Sequence, residues 1–285
     1  MQSTLAIDIG GTKILAALVE GNKVIAANTV ATSRSDGPDD WIAQAAELAR
    51  DWRGDYTICG VTVTGVVHDG QWSAMNPGTL NIPDKYPLAQ RIATVFDVPA
   101  TLCNDAQAAA WGEYCFGAGH EQDCVFLTIS TGIGGGAVVN GKLLKGQSGI
   151  GGHFGLLLSE NGTVLEDTAS GSWIAREADS KGYSVQAPDV FAAAENGEIW
   201  ANKLIDQSAT RIARLCHNLQ LIFDPAVIVI GGGVGLAPGF LPRVQTQLMA
   251  LPDRITPSLA RAALGANAGV LGIAALANLQ TTHGD

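Results

Sequence analysis

The apolar positions of this chain fall into short runs, and the turns between them are rich in glycine. Residues 5–9 (Leu-Ala-Ile-Asp-Ile) and residues 14–19 (Ile-Leu-Ala-Ala-Leu-Val) flank Gly10-Gly-Thr-Lys13, and the turn Glu20-Gly-Asn-Lys23 follows. Short apolar runs bounded by turn residues read as buried strands. The design recurs far along the chain, where Phe126-Leu-Thr-Ile-Ser-Thr-Gly-Ile-Gly-Gly-Gly136 leads into Ala137-Val-Val139 and the turn Asn140-Gly-Lys142. Each unit predicts strand, Gly-rich turn, strand, hairpin turn. Two copies in one chain predict duplicated lobes.

The rest of the pattern alternates. Helical spacing marks residues 40–52 and 88–96, and a run rich in Val, Ile and Thr predicts a strand over 57–67. A short strand at 100–103 leads to a helix over 105–114, capped by Asn104 or Asp105. A long helix over 200–223 stops before Asp224-Pro225, because the residue ahead of proline avoids helical geometry. A buried strand at 226–230 ends in Gly231-Gly-Gly233, and a helix is expected to start within 236–239. Residues 179–188 read as a loop and 268–277 as a helix of small residues. Strands and helices alternating within each half predict an α/β fold.

Composition narrows the function classes. The chain has 285 residues, 47% of them hydrophobic, enough for a large core and a soft prior for two domains. A net charge of −10 without a Lys/Arg cluster argues against a nucleic-acid partner. No apolar run approaches the length of a membrane span, and residues 1–4 run straight into a strand, so neither a transmembrane helix nor a signal peptide is expected. A cytoplasmic location follows as an expectation. The five cysteines, Cys59, Cys103, Cys115, Cys124 and Cys216, are well separated and lack C-x-x-C spacing, which reads as reduced core thiols.

The Gly-rich turns carry the first candidate chemistry. Taken singly, each can be a plain hairpin turn. Asp8, however, ends an apolar strand, where a carboxylate is costly unless it faces a cleft or a cation. Gly10 and Gly11 are followed by the Thr12 hydroxyl and the Lys13 charge. The second turn repeats the design with Thr131, Gly132 and Gly134, and two facing turns can clamp a polyphosphate with backbone N–H groups. Neither has Walker A spacing, and neither is a G-x-G-x-x-G that opens a helix. Gly232 and Gly233, after a strand, suit a purine or ribose or serve as a simple turn. Asn104-Asp105 reads from the residues alone as a helix cap.

Together, Asp8-Ile-Gly-Gly-Thr-Lys13, Asn104-Asp105, Ser130-Thr-Gly-Ile-Gly-Gly-Gly136, Val229-Ile-Gly-Gly-Gly-Val234 and Gly269-Val-Leu-Gly-Ile-Ala-Ala275 resemble, in order, the ROK family of bacterial sugar kinases and repressors. Residues 6–19, Asn104-Asp-Ala-Gln-Ala-Ala-Ala-Trp-Gly-Glu113 and the Met75-Asn-Pro-Gly stretch look most like the family's kinases of N-acetyl-D-mannosamine. The resemblance implies a two-lobed actin/hexokinase-like (ribonuclease H-like) ATPase fold with the active site in the interdomain cleft. It implies ATP with Mg²⁺ (Asp8 being a candidate to hold the metal) and a homodimer. The expected lobes are residues 1–105, completed by 268–285, and residues 106–267. Asp105 would be the general base that lets the sugar 6-hydroxyl attack the γ-phosphate. Gly65, Asn81, Asn104, His153 and Glu166 match the family's sugar contacts. An Asp at a helix N-terminus would ordinarily have a lowered pKa.

The chain departs from the family at Gly151-Gly-His153-Phe-Gly-Leu156. The usual pattern there is Glu-x-Gly-His, with the His on zinc; here His153 falls at the Glu position and Leu156 at the His position. Residues 157–165 hold no Cys in place of the family's Cys-rich run, so no structural zinc is expected, and Leu156 is expected to pack in the vacated place. His at the first position favours an N-acylated hexosamine. Other readings are a glucokinase or another hexose or N-acetylglucosamine kinase, and, from another class, a non-catalytic sugar-sensing regulator. A DNA-binding repressor would need a helix-turn-helix ahead of the first Gly-rich turn, where Asp8 leaves no room.

Overall fold

A computed structural model describes residues 3–75, 80–159 and 161–282. Past Met75, the Met75-Asn-Pro-Gly stretch lies outside the described residues. The chain builds two five-stranded sheets of one design. In the first, β1 (Ser3–Ile9), β2 (Lys13–Glu20) and β3 (Lys23–Ala31) form an antiparallel meander; β4 (Tyr56–Val63) and β7 (Ala100–Asn104) continue from β1 in parallel, giving the order β3-β2-β1-β4-β7. In the second, β8 (Cys124–Ile129), β9 (Ile133–Val139) and β10 (Lys142–Leu143) make the meander. There β11 (Val227–Gly231) and β12 (Leu259–Arg261) add in parallel, giving β10-β9-β8-β11-β12. The repeat read from the sequence is thus a repeat of sheet topology. A small hairpin, β5 (Val66–His68) and β6 (Gln71–Ser73), stands apart.

Central strands are buried on both faces, as sheets covered by helices require. On the first sheet, α1 (Pro38–Leu48) and α2 (Leu88–Phe96) bury Trp41, Ile42, Leu88 and Ile92 in one cluster with Trp72 of β6 and the inward residues of β1, β2 and β4. On the second, α5 (Gly171–Ser180), α6 (Ala187–Glu195), α7 (Ile199–Phe223) and α9 (Phe240–Leu248) cover the sheet. Along α7 the buried positions Leu204, Ile205, Ser208, Ala209, Ile212, Leu215, Cys216 and Leu219 recur at helical spacing. The helix ends at Asp224 in the left-handed conformation, just before Pro225. Two short helices, α4 (Glu166–Ala169) and α8 (Gly232–Gly235), flank this region.

Helices α3 (Asp105–Phe116) and α10 (Ala268–Thr282) pack against each other, with α10 also lying on β1 and β4 and α3 on β8 and β9. The contact is made by small residues. A Cβ at Gly272 would overlap the Ala108 carbonyl oxygen, and one at Gly112 the Ala268 carbonyl oxygen. Lower down α3, the fully buried Glu113 carboxylate accepts the backbone N–H groups of Ala118 (2.9 Å), Ala263 (3.1 Å) and Leu264 (2.9 Å). It therefore joins the end of α3 to the segment that leads into α10. Glu113→Ala leaves three part-buried N–H groups without their acceptor, and water can reach some of them in its place, so the cost falls short of the about 1–3 kcal/mol of a fully buried unsatisfied group for each. Denaturant unfolding is expected to show a loss of about 1–3 kcal/mol, with Glu113→Gln recovering part of it.

Two local expectations need correction. The strand expected over 57–67 is two strands, β4 and β5, because the chain turns at Thr64-Gly65. Gly65 has φ +95°, a conformation that L side chains rarely adopt, and a Cβ there would lie 2.5 Å from the Ser73 carbonyl oxygen. The helix expected to start within 236–239 instead begins at Gly232, directly from β11. Gly232 (φ +82°) makes this sharp turn against the backbone of Ile129.

Candidate active site

The parallel strands of the first sheet end level with one another. Asp8 on β1 lies opposite Thr62 on β4, and Val63 lies opposite Asn104 on β7. Carboxyl ends of parallel strands are where α/β sheets place ligands. The Thr62 hydroxyl donates to Asp8 Oδ1 at 2.9 Å. Burial raises the Asp8 pKa, opposed by that hydrogen bond and by the Lys13 charge. Asp105 opens α3 beside it, and its Oδ1 accepts the Ala106 N–H at 2.7 Å. Its pKa is raised to about 6, first by burial and next by the Asp8 carboxylate. Hydrogen bonds from Ala106 and the Asn104 side chain only partly offset this. The lowered pKa expected from the helix N-terminus is therefore corrected: desolvation and a like charge outweigh the dipole.

Asn104 is the cap of α3. Its Oδ1 accepts the N–H groups of Ala106 (3.0 Å) and Gln107 (3.1 Å), and its Nδ2 donates to the Gly65 carbonyl at 3.0 Å. The left-handed turn at Gly65 is thereby tied to the start of the helix that carries Asp105. The first Gly-rich turn is tight, with the Gly10 N–H on the Lys13 carbonyl at 3.0 Å and the Thr32 hydroxyl on the Gly10 carbonyl at 2.7 Å. Thr12 and Lys13 are exposed, and Gly11 is half-buried.

The second Gly-rich turn is shorter than its sequence suggests. Ser130-Thr131-Gly132 makes the turn, closed by the Ser130 N–H on the Gly132 carbonyl at 2.9 Å. Gly134 and Gly136 lie within β9, where a Cβ would crowd Ala106 (3.0 Å) and Ala110 (2.7 Å) of α3. These glycines let the helix approach the strand. Glu166, matched from sequence to a sugar contact, accepts the Ile133 N–H at 2.7 Å and so braces this turn. The start of α5 docks on the same turn, through Gly171 N–H to the Ser130 carbonyl (2.7 Å) and Ser172 N–H to the Thr131 carbonyl (3.1 Å).

A cavity of about 500 Å³ opens beside that turn, lined by Ser130, Thr131, Ser172, Phe191, Gly233 and Val234 among others. Its walls join apolar side chains to a few hydroxyls and backbone groups, a lining suited to a small planar ligand. Gly233 borders it, and Gly232 serves the turn beneath.

His153 sits at the end of a loop that lies against β9 and against β5, since a Cβ at Gly152 would lie 2.8 Å from the Gly135 carbonyl oxygen and one at Gly149 would overlap that of Val67. Its Nδ1 lies 2.9 Å from the Ile150 carbonyl oxygen, and its Nε2 is buried without a partner. Asn81 is exposed. Leu156 does not pack as expected. It is 42% exposed and is followed by the exposed Leu157 and Leu158, because the short helical turn Phe154–Leu156 uses Phe154 to cover the core. All five cysteines are free thiols, and four are buried. Among the described residues, no three His, Cys, Asp or Glu side chains group to hold a metal.

Gln107 is a site neighbour that the sequence reading missed. It is buried, and its Nε2 donates to the carbonyls of Gly149 (3.1 Å) and Gly151 (2.6 Å). The available signal was a polar residue amid the alanines of a helix with no polar face.

Duplicated sheets of this order, packed about a central helix and presenting two Gly-rich turns and two coupled carboxylates, define a protein of the actin/hexokinase-like fold. The chain belongs to the ROK family, whose model matches residues 4–280. It is 46% identical over 276 residues to a bifunctional enzyme NanE/NanK of Brucella melitensis, covering 96% of this chain but 53% of that enzyme, so the chain spans about half of that relative's length. It is 38% identical over 289 residues to an N-acetylmannosamine kinase of Salmonella typhi, covering 98% of this chain and 99% of that one. Among solved structures, a ROK family glucokinase from Streptomyces griseus in complex with glucose and AMPPNP superposes with a TM-score of 0.82 at 25% identity, covering 97% of this chain and 99% of the other.

Proposed function

We propose that this chain is an ATP-dependent sugar kinase that phosphorylates the 6-hydroxyl of N-acetyl-D-mannosamine, with Asp105 as general base. The observation that carries the reading is the placement of Asp8 and Asp105 at the level carboxyl ends of β1, β4 and β7, beside the first Gly-rich turn. The choice of sugar is supported by the 38% identity, over nearly the whole of both chains, to a protein named for that activity.

In this reading Asp105 takes the proton of the attacking hydroxyl as its oxygen bonds to the γ-phosphorus and the bond to the leaving ADP breaks. A pKa of about 6 suits that role, since the group is ionised at neutral pH yet basic enough to accept a proton late in transfer. The turns at Gly10–Lys13 and Thr131–Gly132 hold the phosphates with backbone N–H groups. The cavity bordered by Gly233 takes the nucleoside, in keeping with the AMPPNP bound by the Streptomyces griseus enzyme. Mg²⁺ bound with ATP would supply neutralisation of the phosphate charge. A buried carboxylate is the fitting donor for it, because this ion usually takes one or two carboxylates plus phosphate oxygens and water. Asp8 would supply that carboxylate. Gly65, Asn81, Asn104, His153 and Glu166 make the sugar side of the site.

The lobe division read from the sequence, a homodimer and a cytoplasmic location are part of the same proposal. Among the described residues, no helix is long and apolar enough to cross a membrane.

A coupled ADP-release assay tests the substrate. Turnover is expected with N-acetylmannosamine at a kcat/KM above those for N-acetylglucosamine, glucose, mannose and allose. Preference for glucose would turn the reading to a glucokinase, and no turnover on any of the five would remove the kinase reading for this substrate set.

A further inference from the structure

Gln107 lies two residues past Asp105, buried in the first turn of α3. A buried amide is costly unless its hydrogen-bonding groups are used. Those of Gln107 are spent on one loop and on the catalytic turn. Nε2 donates to the Gly149 and Gly151 carbonyls, the backbone N–H donates to Asn104 Oδ1, and Oε1 accepts from the Cys103 thiol at 3.6 Å. The carbonyls on either side of Ile150 are thus held at a set distance from the start of the Asp105 helix.

Ile150 in turn orients His153. A carbonyl oxygen only accepts, so the Nδ1 that lies 2.9 Å from it carries a hydrogen. In the neutral ring Nε2 is then a bare acceptor. That atom is buried and has no partner in the protein. A buried acceptor without a donor is the exception in folded proteins and marks a place for a ligand group.

We infer that Gln107 is a positioning residue for sugar recognition: its amide sets the 149–153 loop so that His153 offers Nε2 as a single acceptor to a hydroxyl or amide N–H of the sugar. This rests on the reading of His153 as part of the sugar site. The consequence is chemical selectivity. A carboxylate accepts several hydrogen bonds from a range of directions, whereas a bare imidazole nitrogen accepts one along the ring plane. His153 therefore reads one donor at one place on the sugar.

Steady-state kinetics of Gln107→Leu test the assignment, because leucine keeps most of the bulk and removes both donors. The sugar KM is expected to rise about 10- to 100-fold, the scale of a recognition group displaced by a fraction of an ångström to an ångström. The kcat should stay within about threefold and the ATP KM should not move. A kcat that falls with the sugar KM unchanged would make Gln107 a partner of Asp105 instead and overturn the inference, as would wild-type kinetics. Should the leucine variant not fold, ¹⁵N spectra of imidazole-labelled wild-type protein decide. They are expected to show His153 protonated at Nδ1 and bare at Nε2, with saturating N-acetylmannosamine shifting the Nε2 resonance. The opposite tautomer, or an Nε2 signal unmoved by a sugar that is turned over, would overturn it. Wild-type protein inactive on every sugar would sink the functional reading itself; wild-type turnover with an indifferent Gln107→Leu would sink this inference alone.

Discussion

Asp105→Asn is expected to lower kcat by about 10²–10⁴-fold, the usual worth of a general base, with little change in sugar KM. Asparagine keeps the oxygen that accepts the Ala106 N–H and so keeps the helix start, but it cannot take the proton. The pH profile of the wild type carries the same assignment. Asp105 must be ionised to act, and its pKa in the free protein is raised to about 6, so kcat/KM should fall as pH drops through about 6 and should level off above it. A profile flat between pH 5 and 8 would remove Asp105 as the titrating base.

The same variant should be more stable than the wild type at neutral pH. The folded pKa of about 6 lies above the ordinary value of 3.8, so the native state binds the proton more tightly than the unfolded chain. This group therefore stabilises the fold only as pH falls below about 6, and above that its ionised form costs about 2–3 kcal/mol. Asparagine has no charge to desolvate and lies farther from conflict with Asp8. An Asp105→Asn protein with a higher Tm at pH 7.5, and a smaller advantage at pH 4.5, is the expected result. A lower Tm at pH 7.5 would show that the carboxylate is better solvated than its surroundings indicate. Activity held at the expense of stability is the usual mark of a functional group.

Gly272→Val is expected to give the largest loss of stability. A side chain at this position meets the Ala108 carbonyl oxygen of α3, part of the helix backbone, which cannot turn aside as a flexible side chain can. The alternative is to separate α3 from α10. That would expose Val270, Leu271, Ile273 and Ala274, which are buried with Ala6, Ala17 and Ala108. Overpacking of a tight core typically costs about 1–3 kcal/mol, and a forced helix separation exceeds that range. The variant should be insoluble or unfold at markedly lower denaturant than the wild type. Gly269→Ala is the control: its Cβ would find only the Asp105 carbonyl oxygen, at 3.9 Å, an ordinary contact. If both variants matched the wild type in denaturant midpoint, the close approach of the two helices would be disproved.

Much of this architecture was legible in one sequence because strands and Gly-rich turns are local. The two units at residues 5–23 and 126–142 predicted two meanders, and both sheets begin with one. Residues 88–96 and 200–223 had clear helical spacing and proved to be α2 and most of α7. Local reading failed where a turn depended on what lies beside it. The strand over 57–67 breaks at Gly65 because the chain there folds back on Ser73. Gly134 looked like part of a phosphate turn, yet it is in β9, small because α3 passes over it.

The candidate site divides along the same line. The residue types and their order along the chain pointed to Asp8 and both Gly-rich turns, because a polyphosphate calls for backbone N–H groups free of side chains; Asp105, a helix cap on the residues alone, was singled out only by the resemblance to the ROK family. The pKa of Asp105, the tie from Asn104 to the Gly65 turn, the bracing of the second turn by Glu166 and the hold of Gln107 on the His153 loop came from the tertiary structure alone. Each depends on groups far apart in sequence whose separation in space sets solvation, charge coupling and hydrogen bonding. A helix N-terminus by itself predicts an acidic Asp105; the burial and the Asp8 carboxylate that reverse this exist only once β1, β7 and α3 have come together.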